Sequence, residues 1–485
     1  IWTYYEGGCP PQQADSPWKN RESVEVTDSS IPLADALQEL EPKDVWQNFY
    51  ELTQIPRPSR HEEQVRQFLV RFGQDLGLET AVDDAGNVLI RKPPSPGLED
   101  IGGVVLQAHM DMVPQKARGK VYDFNKDPIE AYVVGEWVTA DGTTLGADDG
   151  IGIAMAMSVL QSDTLATGSI EALFTVDEES SMSGAIGLEP GVLQGDTYIN
   201  LDWETEGSFC IGAAGGEVVV ASGSYPEVET PAGMVAYELR VHGLKGGHSG
   251  VDINTGRGHA TELLIQLLQE ASQDHGIRLA GLAGGEVNNA ITREATALVC
   301  VPEAASPAFL EGVGAFEGAV QAELSDADPG VKVEATATDL PPQVMREEAQ
   351  AALLDALGAT PQGVIAMSEA VPDLVETSTN IGVVNIGDGQ TLVQSFVRSS
   401  VDTGLDDVGQ QIASVWEPSG FDVQFEGRFS GWEPDPDSPV LGLMKASYLD
   451  LFGSEAEVLA VHAGLECGEI GAKYPGIDMI SIGPT

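Results

Sequence analysis

The sequence predicts an α/β protein in which a mixed, mostly parallel sheet carries the functional site. Apolar strand-like stretches alternate with helix-like stretches, which is typical of a sheet covered by helices. Several of these strands end abruptly in histidine or acidic residues. The chain has 485 residues, which indicates two or three domains and not one.

The strands that end in polar residues are predicted from short apolar runs. They comprise 102–108 before His109 and Asp111, 169–176 before Asp177-Glu178-Glu179, 197–201 before Asp202, and 458–461 before His462. Ligand sites of open α/β sheets lie beyond the carboxyl ends of the strands. We therefore expect these four polar groups to converge on one crevice.

Helical spacing of apolar residues is present in two places in the first part of the chain. Residues 42–76 carry apolar side chains at helical intervals, and the motif Leu145-Gly-Ala-Asp-Asp-Gly leads into a second helical run at 151–160. Around residue 216 the pattern changes to strands in which apolar residues alternate with other residues, and helices follow these strands. Gly, Pro and Asp residues near Trp432 mark the end of this region. This pattern predicts an inserted α+β domain.

These changes divide the chain into four segments. We predict a disordered leader over 1–32, the first part of the main domain over 33–215, the inserted domain over 216–431, and the second part of the main domain over 432–485. No apolar run reaches the roughly 20 residues that span a bilayer, so no membrane partner is expected. The four cysteines form no CxxC pair, which favours a reducing, cytoplasmic compartment over a disulfide framework.

Acidic residues number 76 against 24 basic residues, which gives a formal net charge of −52. A surface this negative repels phosphate groups, so nucleic acid is excluded as an expected partner. The acidic residues are spread along the chain and do not form one tail. This distribution argues against a disordered acidic segment. The scarcity of lysine favours adaptation to a salty interior, with an ordinary acidic cytoplasmic protein as the alternative.

The polar residues at the strand ends are of the types that bind metal ions. His109 and Asp111 lie two apart on an extended segment and so share a face, which suits a histidine ligand supported by a carboxylate. Asp148 and Asp149 together lie between glycines, and one of them could bridge two cations, although a helix N-cap is the better explanation of this pair in isolation. Each residue alone has a structural explanation, and the combination is what indicates a metal site.

Glu178 and Glu179 are adjacent carboxylates that repel each other unless a cation or a shared proton relieves them. One of them can bind metal while its neighbour takes a proton from metal-bound water; a solvated loop is the alternative. Asp202 and His462 follow apolar strands in the same manner. Imidazole and carboxylate ligands together suit zinc, and manganese or cobalt also accept them.

The inserted domain contains candidate substrate-binding residues. His248 lies in a glycine-rich segment, Lys245-Gly-Gly-His-Ser-Gly, where the backbone can approach a ligand closely, although a flexible turn gives the same pattern. Four further residues of this domain could bind a substrate, and the arginines among them match a carboxylate in geometry: Arg257, Asn289, Arg293 and Arg398.

Several of these motifs together closely resemble the aminoacyl-histidine dipeptidases, from about Leu33 to Thr485 and in consistent order. These enzymes belong to a di-zinc superfamily that also includes aminoacylases, carnosinases and carboxypeptidases. The motifs that carry the resemblance are His109-Met-Asp111, Gly146-Ala-Asp-Asp-Gly150, Asp177-Glu-Glu179, Leu201-Asp202, Gly246-Gly-His-Ser-Gly250 and His462-Ala-Gly-Leu-Glu-Cys-Gly468.

The resemblance implies a fold, an activity and a role for each matched residue. It implies a di-zinc peptidase domain with an inserted lid domain, a small peptide substrate of Xaa-His breadth, and a homodimer. Glu178 would be the general base, Asp111 would orient His109, and His248 would polarise the scissile carbonyl. The two zinc ions would be held by a set of five ligands: His109 and Asp202 on one ion, Glu179 and His462 on the other, and Asp148 between them.

Two departures from the family pattern affect these expectations. His259 stands where relatives tend to carry Asn, which weakens the expected substrate contact there. Beyond Gly483-Pro-Thr485 the resemblance leads us to expect a Gly-Ala-His-Ser-Pro segment and a closing helix. The alternatives to a dipeptidase are a tripeptidase, carboxypeptidase or N-acyl amino acid hydrolase of the same superfamily, and a non-catalytic binding protein.

Overall fold

The computed structural model describes residues 26–27 and 30–484. Two compact units account for the described chain. Unit 1 ends at Gly212, resumes over Asp435–Ala460 and again from Glu466, and unit 2 comprises Ala213–Pro434 and Val461–Leu465. Most of the predicted leader, residues 1–25 with 28 and 29, lies outside the described residues. The described residues contain no helix that is both long and apolar enough to cross a membrane.

Unit 1 is built on a mixed sheet that is parallel at its centre. The strands of unit 1, with those of its small second sheet, are β1 (Ile31–Pro32), β2 (Glu79–Val82), β3 (Val88–Lys92), β4 (Val104–His109), β5 (Ala131–Val134), β6 (Trp137–Ala140), β7 (Ile170–Thr175), β8 (Thr197–Asn200), β9 (Ser208–Ala213), β23 (Glu457–Val461) and β24 (Asp478–Ser481). Within the described residues the main sheet has the order β2-β3-β7-β4-β8-β24-β9-β23. Parallel pairs join β7, β4, β8 and β24, and antiparallel pairs lie outside them.

Eight helices belong to the described part of unit 1. They are α1 (Leu33–Ala36), α2 (Lys43–Thr53), α3 (Glu63–Asp75), α4 (Ala147–Gln161), α5 (Glu178–Ser181), α6 (Ser183–Gly187), α11 (Pro439–Phe452) and α12 (Cys467–Lys473). The core joins α2 and α4 to strands β3, β4 and β7, with Phe49, Ile153, Leu106 and Phe174 among its members. β4 and β7 are buried over nearly their whole length, as expected of central parallel strands.

Unit 2 is an α+β unit with an antiparallel sheet. Its strands are β10 (Gly215–Ser224), β11 (Glu227–Glu229), β12 (Met234–His242), β13 (Gly247–His248), β14 (Arg278–Gly284), β15 (Ala290–Ile291), β16 (Ala295–Pro302), β17 (Lys332–Thr338), β18 (Gln343–Met345), β19 (Gly363–Met367), β20 (Val375–Gly387), β21 (Gln390–Ser399) and β22 (Asp422–Phe429). The main sheet runs β17-β12-β16-β14-β20-β21-β10-β22, and β19 pairs with β20.

Four helices complete the second unit and supply the other half of its core. They are α7 (Ala260–His275), α8 (Ser306–Glu323), α9 (Glu347–Ala359) and α10 (Asp402–Trp416). The apolar stripe of α7, with Leu264 and Leu268 fully buried, packs on the same core as Leu239 of β12 and Val299 of β16. The predicted α/β class with an inserted α+β portion is thus confirmed.

The bounds of the segments differ in detail from the predicted ones. Ile31 and Pro32, within the predicted leader, form β1 and pair with β5. The segment Val461–Leu465 belongs to unit 2, although we expected it in the main domain. Backbone hydrogen bonds from Ala214 to the carbonyls of Val461 and Ala463 account for this placement.

Candidate metal centre

Three potential metal ligands converge at the carboxyl ends of the central strands of unit 1. His109 is the last residue of β4, Asp202 lies two residues beyond β8, and Asp148 lies at the start of α4. His109 Nε2 lies 2.7 Å from Asp148 Oδ1 and 3.5 Å from Asp202 Oδ1. Within the described chain, one ligand atom from each of the three lies within 4.8 Å of the others. One imidazole and two carboxylates form a donor set that suits a divalent cation such as zinc.

The other nitrogen of His109 is held by a buried carboxylate. His109 Nδ1 lies 3.2 Å from Asp111 Oδ1, and both side chains are almost fully buried. Asp111 also accepts the backbone N–H groups of Glu178 at 3.0 Å and Glu179 at 3.3 Å. Burial alone would raise the pKa of Asp111. Because His109 and these donors favour the ionised form, the pKa instead falls to about 2. A carboxylate behind a histidine ligand fixes the orientation of the ring.

The electrostatics of this cluster fit a cation. Burial raises the pKa of Asp202 well above its usual value, and the nearby carboxylates Asp148 and Asp149 raise it further. For His109, burial lowers the pKa, but Asp202, Asp111 and Asp148 outweigh it and raise the pKa well above the usual range. Crowded carboxylates around one imidazole need positive charge among them, and a divalent cation bound there would supply it.

Glu178 and Glu179 begin α5, directly beyond β7. Burial raises the pKa of Glu178 well above its usual value, and Asp202, Glu466 and Glu179 raise it further. The pKa of Glu179 rises to about 7, through burial first and then through Asp148. A carboxyl group whose proton affinity is raised in this way is suited to accept a proton during catalysis.

Asp149 lies inside the start of α4, where its side chain accepts backbone hydrogen bonds, while the N-cap position itself is Gly146. Asp149 Oδ1 accepts the backbone N–H of Gly152 at 3.1 Å, and its Oδ2 accepts that of His109 at 3.2 Å. The two neighbouring aspartates therefore differ: Asp148 approaches His109 Nε2, whereas Asp149 ties the start of α4 to the end of β4.

Arg57 is a buried residue of the site that sequence reasoning missed. Its guanidinium donates to the carbonyl oxygens of Met110 at 3.0 Å, Asp111 at 2.8 Å and Gly146. It thus joins the segment after His109 to the segment before Asp148. The available signal was an arginine between prolines, four residues after the end of α2, in a chain with few basic residues.

In unit 2, the half-buried His248 contacts the buried Arg398. Arg398 Nη2 lies 3.1 Å from His248 Nε2, and Arg398 Nε donates to Ser249 Oγ at 3.3 Å. The guanidinium also lies 4.4 Å from the centre of the Phe396 ring. Burial and the charge of Arg398 lower the pKa of His248 to about 3, so this ring is neutral at pH 7.

No carboxylate of residues 26–27 or 30–484 forms an ion pair with Arg398, which is 4% exposed. Burial lowers its pKa to about 9, so the guanidinium still carries its charge at pH 7. An uncompensated buried cation is costly, and in a chain with 76 acidic residues its isolation indicates a place for an anionic ligand group.

The remaining predicted residues of unit 2 lie in different environments. His462 Nε2 lies 2.7 Å from Ser378 Oγ, and burial together with Arg398 lowers the pKa of His462 to about 3. Asn289 contributes its backbone carbonyl, which accepts the N–H of Ser249 at 2.8 Å. Arg257 is engaged by Asp252 at 2.8 Å, and Arg293 is exposed.

His259, the departure from the family pattern, has a structural role. It is the N-cap of α7, and its Nδ1 accepts the backbone N–H of Glu262 at 3.3 Å. Burial lowers the pKa of His259 to about 4, so the ring is neutral and able to accept this bond.

Comparison with known proteins agrees with the resemblance of the motifs. Residues 105–485 match the model of peptidase family M20/M25/M40. The chain is 39% identical over 449 residues to the cytosol non-specific dipeptidase of Escherichia coli, which covers 93% of each protein. It also matches the crystal structure of the aminoacylhistidine dipeptidase from Vibrio alginolyticus, with a TM-score of 0.86, 40% identity, and coverage of 93% of this chain and 92% of that one.

A more distant similarity supports the fold alone. An aminopeptidase from Bacillus cereus is 15% identical, covers 91% of this chain, and superposes with a TM-score of 0.50. The family model spans well over half of the chain, and the two dipeptidases exceed 30% identity over nearly its full length. The chain therefore belongs to peptidase family M20/M25/M40.

Proposed function

We propose that the protein is a metal-dependent dipeptidase of broad specificity that includes Xaa-His substrates. The observation that carries this proposal is the convergence of His109, Asp148 and Asp202 on one point at the carboxyl ends of the parallel strands. The two relatives at 39% and 40% identity are both named as dipeptidases. The first is named as cytosolic, which supports a cytoplasmic location for this chain as well.

The first cation would be held by His109 and Asp202, with Asp148 between it and a second cation. Glu179 and His462 are the ligands that we propose for the second cation. When bound, the metal pair would lower the pKa of water towards ~7 and so make it a nucleophile at neutral pH. Zinc is the metal we propose, because the donors are imidazole and carboxylate oxygen.

Glu178 is the proposed general base and the later general acid. Its raised pKa suits it to hold the proton taken from the nucleophilic water and to pass it to the leaving amine. The hydrogen bonds that the backbone N–H groups of Glu178 and Glu179 donate to Asp111 hold the backbone of both residues close to the carboxylate that contacts His109. His248 is proposed to polarise the scissile carbonyl with its neutral ring.

Arg398 is the proposed partner of the substrate's C-terminal carboxylate. Its charge is buried and has no carboxylate partner in the described chain, and Ser249 and His248 hold the guanidinium in place. A free carboxylate would complete a charge-assisted pair in this environment. Asn289, Arg257 and Arg293 stay predictions as substrate contacts, and the homodimer stays a prediction as well.

A substrate panel with and without zinc tests the proposal. Dipeptides, tripeptides, N-acyl amino acids and dipeptide amides are assayed with the metal-free and zinc-loaded protein. We expect zinc-dependent hydrolysis of dipeptides and much weaker hydrolysis of the amides, which lack the carboxylate. Equal or faster turnover of tripeptides or N-acyl amino acids would assign the protein to another activity, and no zinc-dependent hydrolysis would contradict an enzymatic role.

A variant of Arg398 tests the substrate contact separately. Arg398→Met removes the buried charge and is expected to raise KM for dipeptides by at least about 10-fold, since charge-assisted bonds are among the strongest. It should hardly affect the already weak hydrolysis of dipeptide amides. Arg240→Met is the matched control, because Arg240 pairs with Glu294 on the exposed side of β12. An unchanged KM in the Arg398 variant would contradict the contact.

A further inference from the structure

Glu466 is a buried carboxylate of unit 1 that no step of the proposed mechanism uses. It precedes α12 and is 0% exposed. Its Oε2 accepts two hydrogen bonds, from Gln107 Nε2 at 2.6 Å and from Thr175 Oγ1 at 2.6 Å. Gln107 lies on β4 and Thr175 on β7, which are neighbouring parallel strands. One oxygen atom therefore joins the two strands whose ends carry the metal and base residues.

The positions of these donors place the junction directly behind the metal centre. Thr175 is the register partner of His109, and Gln107 precedes His109 by two residues on the same strand. Residues two apart on a strand point to the same face, so Gln107 and His109 extend from the same side of β4. Only one residue separates Gln107 from His109 on β4, so a displacement of Gln107 would also displace His109.

Gln107 extends the junction to the strand that precedes Asp202. Its Oε1 accepts hydrogen bonds from Tyr198 OH at 2.8 Å and from Asn200 Nδ2 at 2.6 Å. Asn200 is the register partner of Gln107 on β8, and its Oδ1 accepts the backbone N–H of Asp202 at 3.4 Å. A continuous polar chain thus runs from Glu466 through Gln107 and Asn200 to the backbone of a metal ligand.

This arrangement lowers the stability of the folded protein. The second oxygen of Glu466, Oε1, is buried and makes no hydrogen bond with any described residue. Burial raises the pKa of Glu466 to about 7, which reflects the cost of its charge in this environment. An apolar residue of similar size would avoid this cost. The contacts of Glu466 therefore call for an explanation other than stability.

We propose that Glu466 is a positioning residue of the metal centre, which holds the ends of β4, β7 and β8 at the separation at which His109, Asp148 and Asp202 share a cation. The inference rests on the proposed function, because it assumes that this cluster binds metal. Glu466 acts through Gln107 and Thr175 and need not touch the cation or the substrate.

Isothermal titration calorimetry tests this role: the metal-free full-length protein is titrated with Mn²⁺ and the Kd is measured. Glu466→Leu removes the junction and is expected to raise the Kd for Mn²⁺ by about 10-fold or more, as found when groups behind metal ligands are lost. Glu466→Gln should lose much less affinity, because its amide oxygen can still accept both bonds. Thr175→Val removes one of the two donors without a change of shape and should give an intermediate loss.

Glu171→Gln is the matched control. Glu171 is a buried carboxylate at the other end of β7, where it accepts bonds from Arg91 and from the backbone of Gln194 and Gly195. This control should keep the wild-type Kd for Mn²⁺ whatever its effect on stability. Equal losses of affinity in the Glu171 and Glu466 variants would mean that any buried defect weakens the site, and would overturn the inference.

Kinetics at saturating Mn²⁺ give a second readout. We expect kcat for a dipeptide to fall in the Glu466→Leu and Thr175→Val variants while KM changes less than about twofold, because the proposed carboxylate contact at Arg398 is intact. Wild-type affinity and kcat in both variants would overturn the role of Glu466, even if one variant folded poorly. A wild-type protein that bound neither Mn²⁺ nor Zn²⁺ would overturn the proposed function itself.

Discussion

The surroundings of Glu178 support its proposed role as the general base. Its backbone N–H is donated to Asp111, and its side chain lies where burial and neighbouring carboxylates raise its pKa. Asp111 also contacts His109, so one carboxylate holds both the proposed base and a proposed metal ligand. These residues therefore form one connected group. Replacing different residues of this group should impair different properties of the protein.

Glu178→Gln is expected to separate proton transfer from metal binding. The amide has the shape of the carboxyl group but cannot accept a proton, so kcat should fall by about 10²–10⁴-fold. The metal content, measured on the purified protein, should stay at the wild-type level. Glu189→Gln, an exposed position of the same unit, is the control. A Glu178 variant that bound metal and retained wild-type hydrolysis of carnosine would contradict the assigned role.

The pH dependence of stability reports on Glu466. Its pKa in the folded protein is about 7, above the ordinary glutamate value of 4.5. Between these values the folded protein retains a proton that the unfolded chain has released, so this contribution to stability is present at low pH and lost as the pH rises towards 7. The Glu466→Gln variant has no such group, and its stability should not decline for this reason.

The measurement is thermal unfolding of the metal-free wild type and Glu466→Gln at pH 5 and pH 8. We expect the stability of the variant, relative to the wild type, to increase from pH 5 to pH 8 by about 1 kcal/mol or more, since one pKa unit corresponds to about 1.4 kcal/mol. A relative stability that is constant with pH would show that Glu466 is ionised normally in the folded protein.

At the scale of elements, the central strands and their polar ends could be predicted from the sequence. Short β-branched and apolar runs such as 104–108 and 170–174 determine buried parallel strands, and a polar residue directly after such a run lies at the sheet edge. The convergence of His109 and Asp202 follows from parallel pairing alone. This part of the site depends on local pattern.

Contacts between distant elements could not be predicted in the same way. Arg57 and Asp111 are 54 residues apart, and Gln107 and Glu466 are 359 residues apart. Their contacts depend on how α12 and the segment after α2 pack against the sheet, and periodicity carries no information about that packing. Residues 461–465 were assigned to the wrong segment for the same reason. They belong to unit 2 because of backbone hydrogen bonds with residue 214, which is distant in the sequence.

The start of α4 gives a prediction at the element scale. A Cβ atom at Gly150 would lie 2.4 Å from Arg57 Nη2 and 3.2 Å from Phe49 Cε2, both buried. Gly150→Ala should therefore displace Arg57 or the helix and destabilise the protein by about 1–3 kcal/mol. Gly442→Ala in α11 is the control, because a Cβ there meets nothing within 4 Å and should be neutral or slightly stabilising. Denaturant unfolding of both variants measures the difference.

The whole molecule is characterised by its charge. A formal net charge of −52 produces strong self-repulsion in the folded state, and this repulsion depends on screening by salt. Surface carboxylates with few basic neighbours are the pattern that we associated with a salty interior. The consequence concerns the stability of both units and not the chemistry of the site.

Stability is therefore expected to rise with salt. The screening length falls from about 10 Å at 0.1 M salt to about 3 Å at 1 M, which removes most of the repulsion between separated carboxylates. The Tm should increase by several degrees between these concentrations of KCl. A sucrose series controls for general exclusion effects. A Tm that is constant or falls with KCl would contradict salt adaptation.

The proposed activity requires that His109, Asp148 and Asp202 bind a shared cation. Anomalous diffraction at the zinc edge, from crystals grown with Zn²⁺, tests it most directly. We predict a peak about 2.0–2.2 Å from His109 Nε2 and from carboxylate oxygens of Asp148 and Asp202. Zinc bound elsewhere, with these three side chains contacting no metal, would contradict the claim.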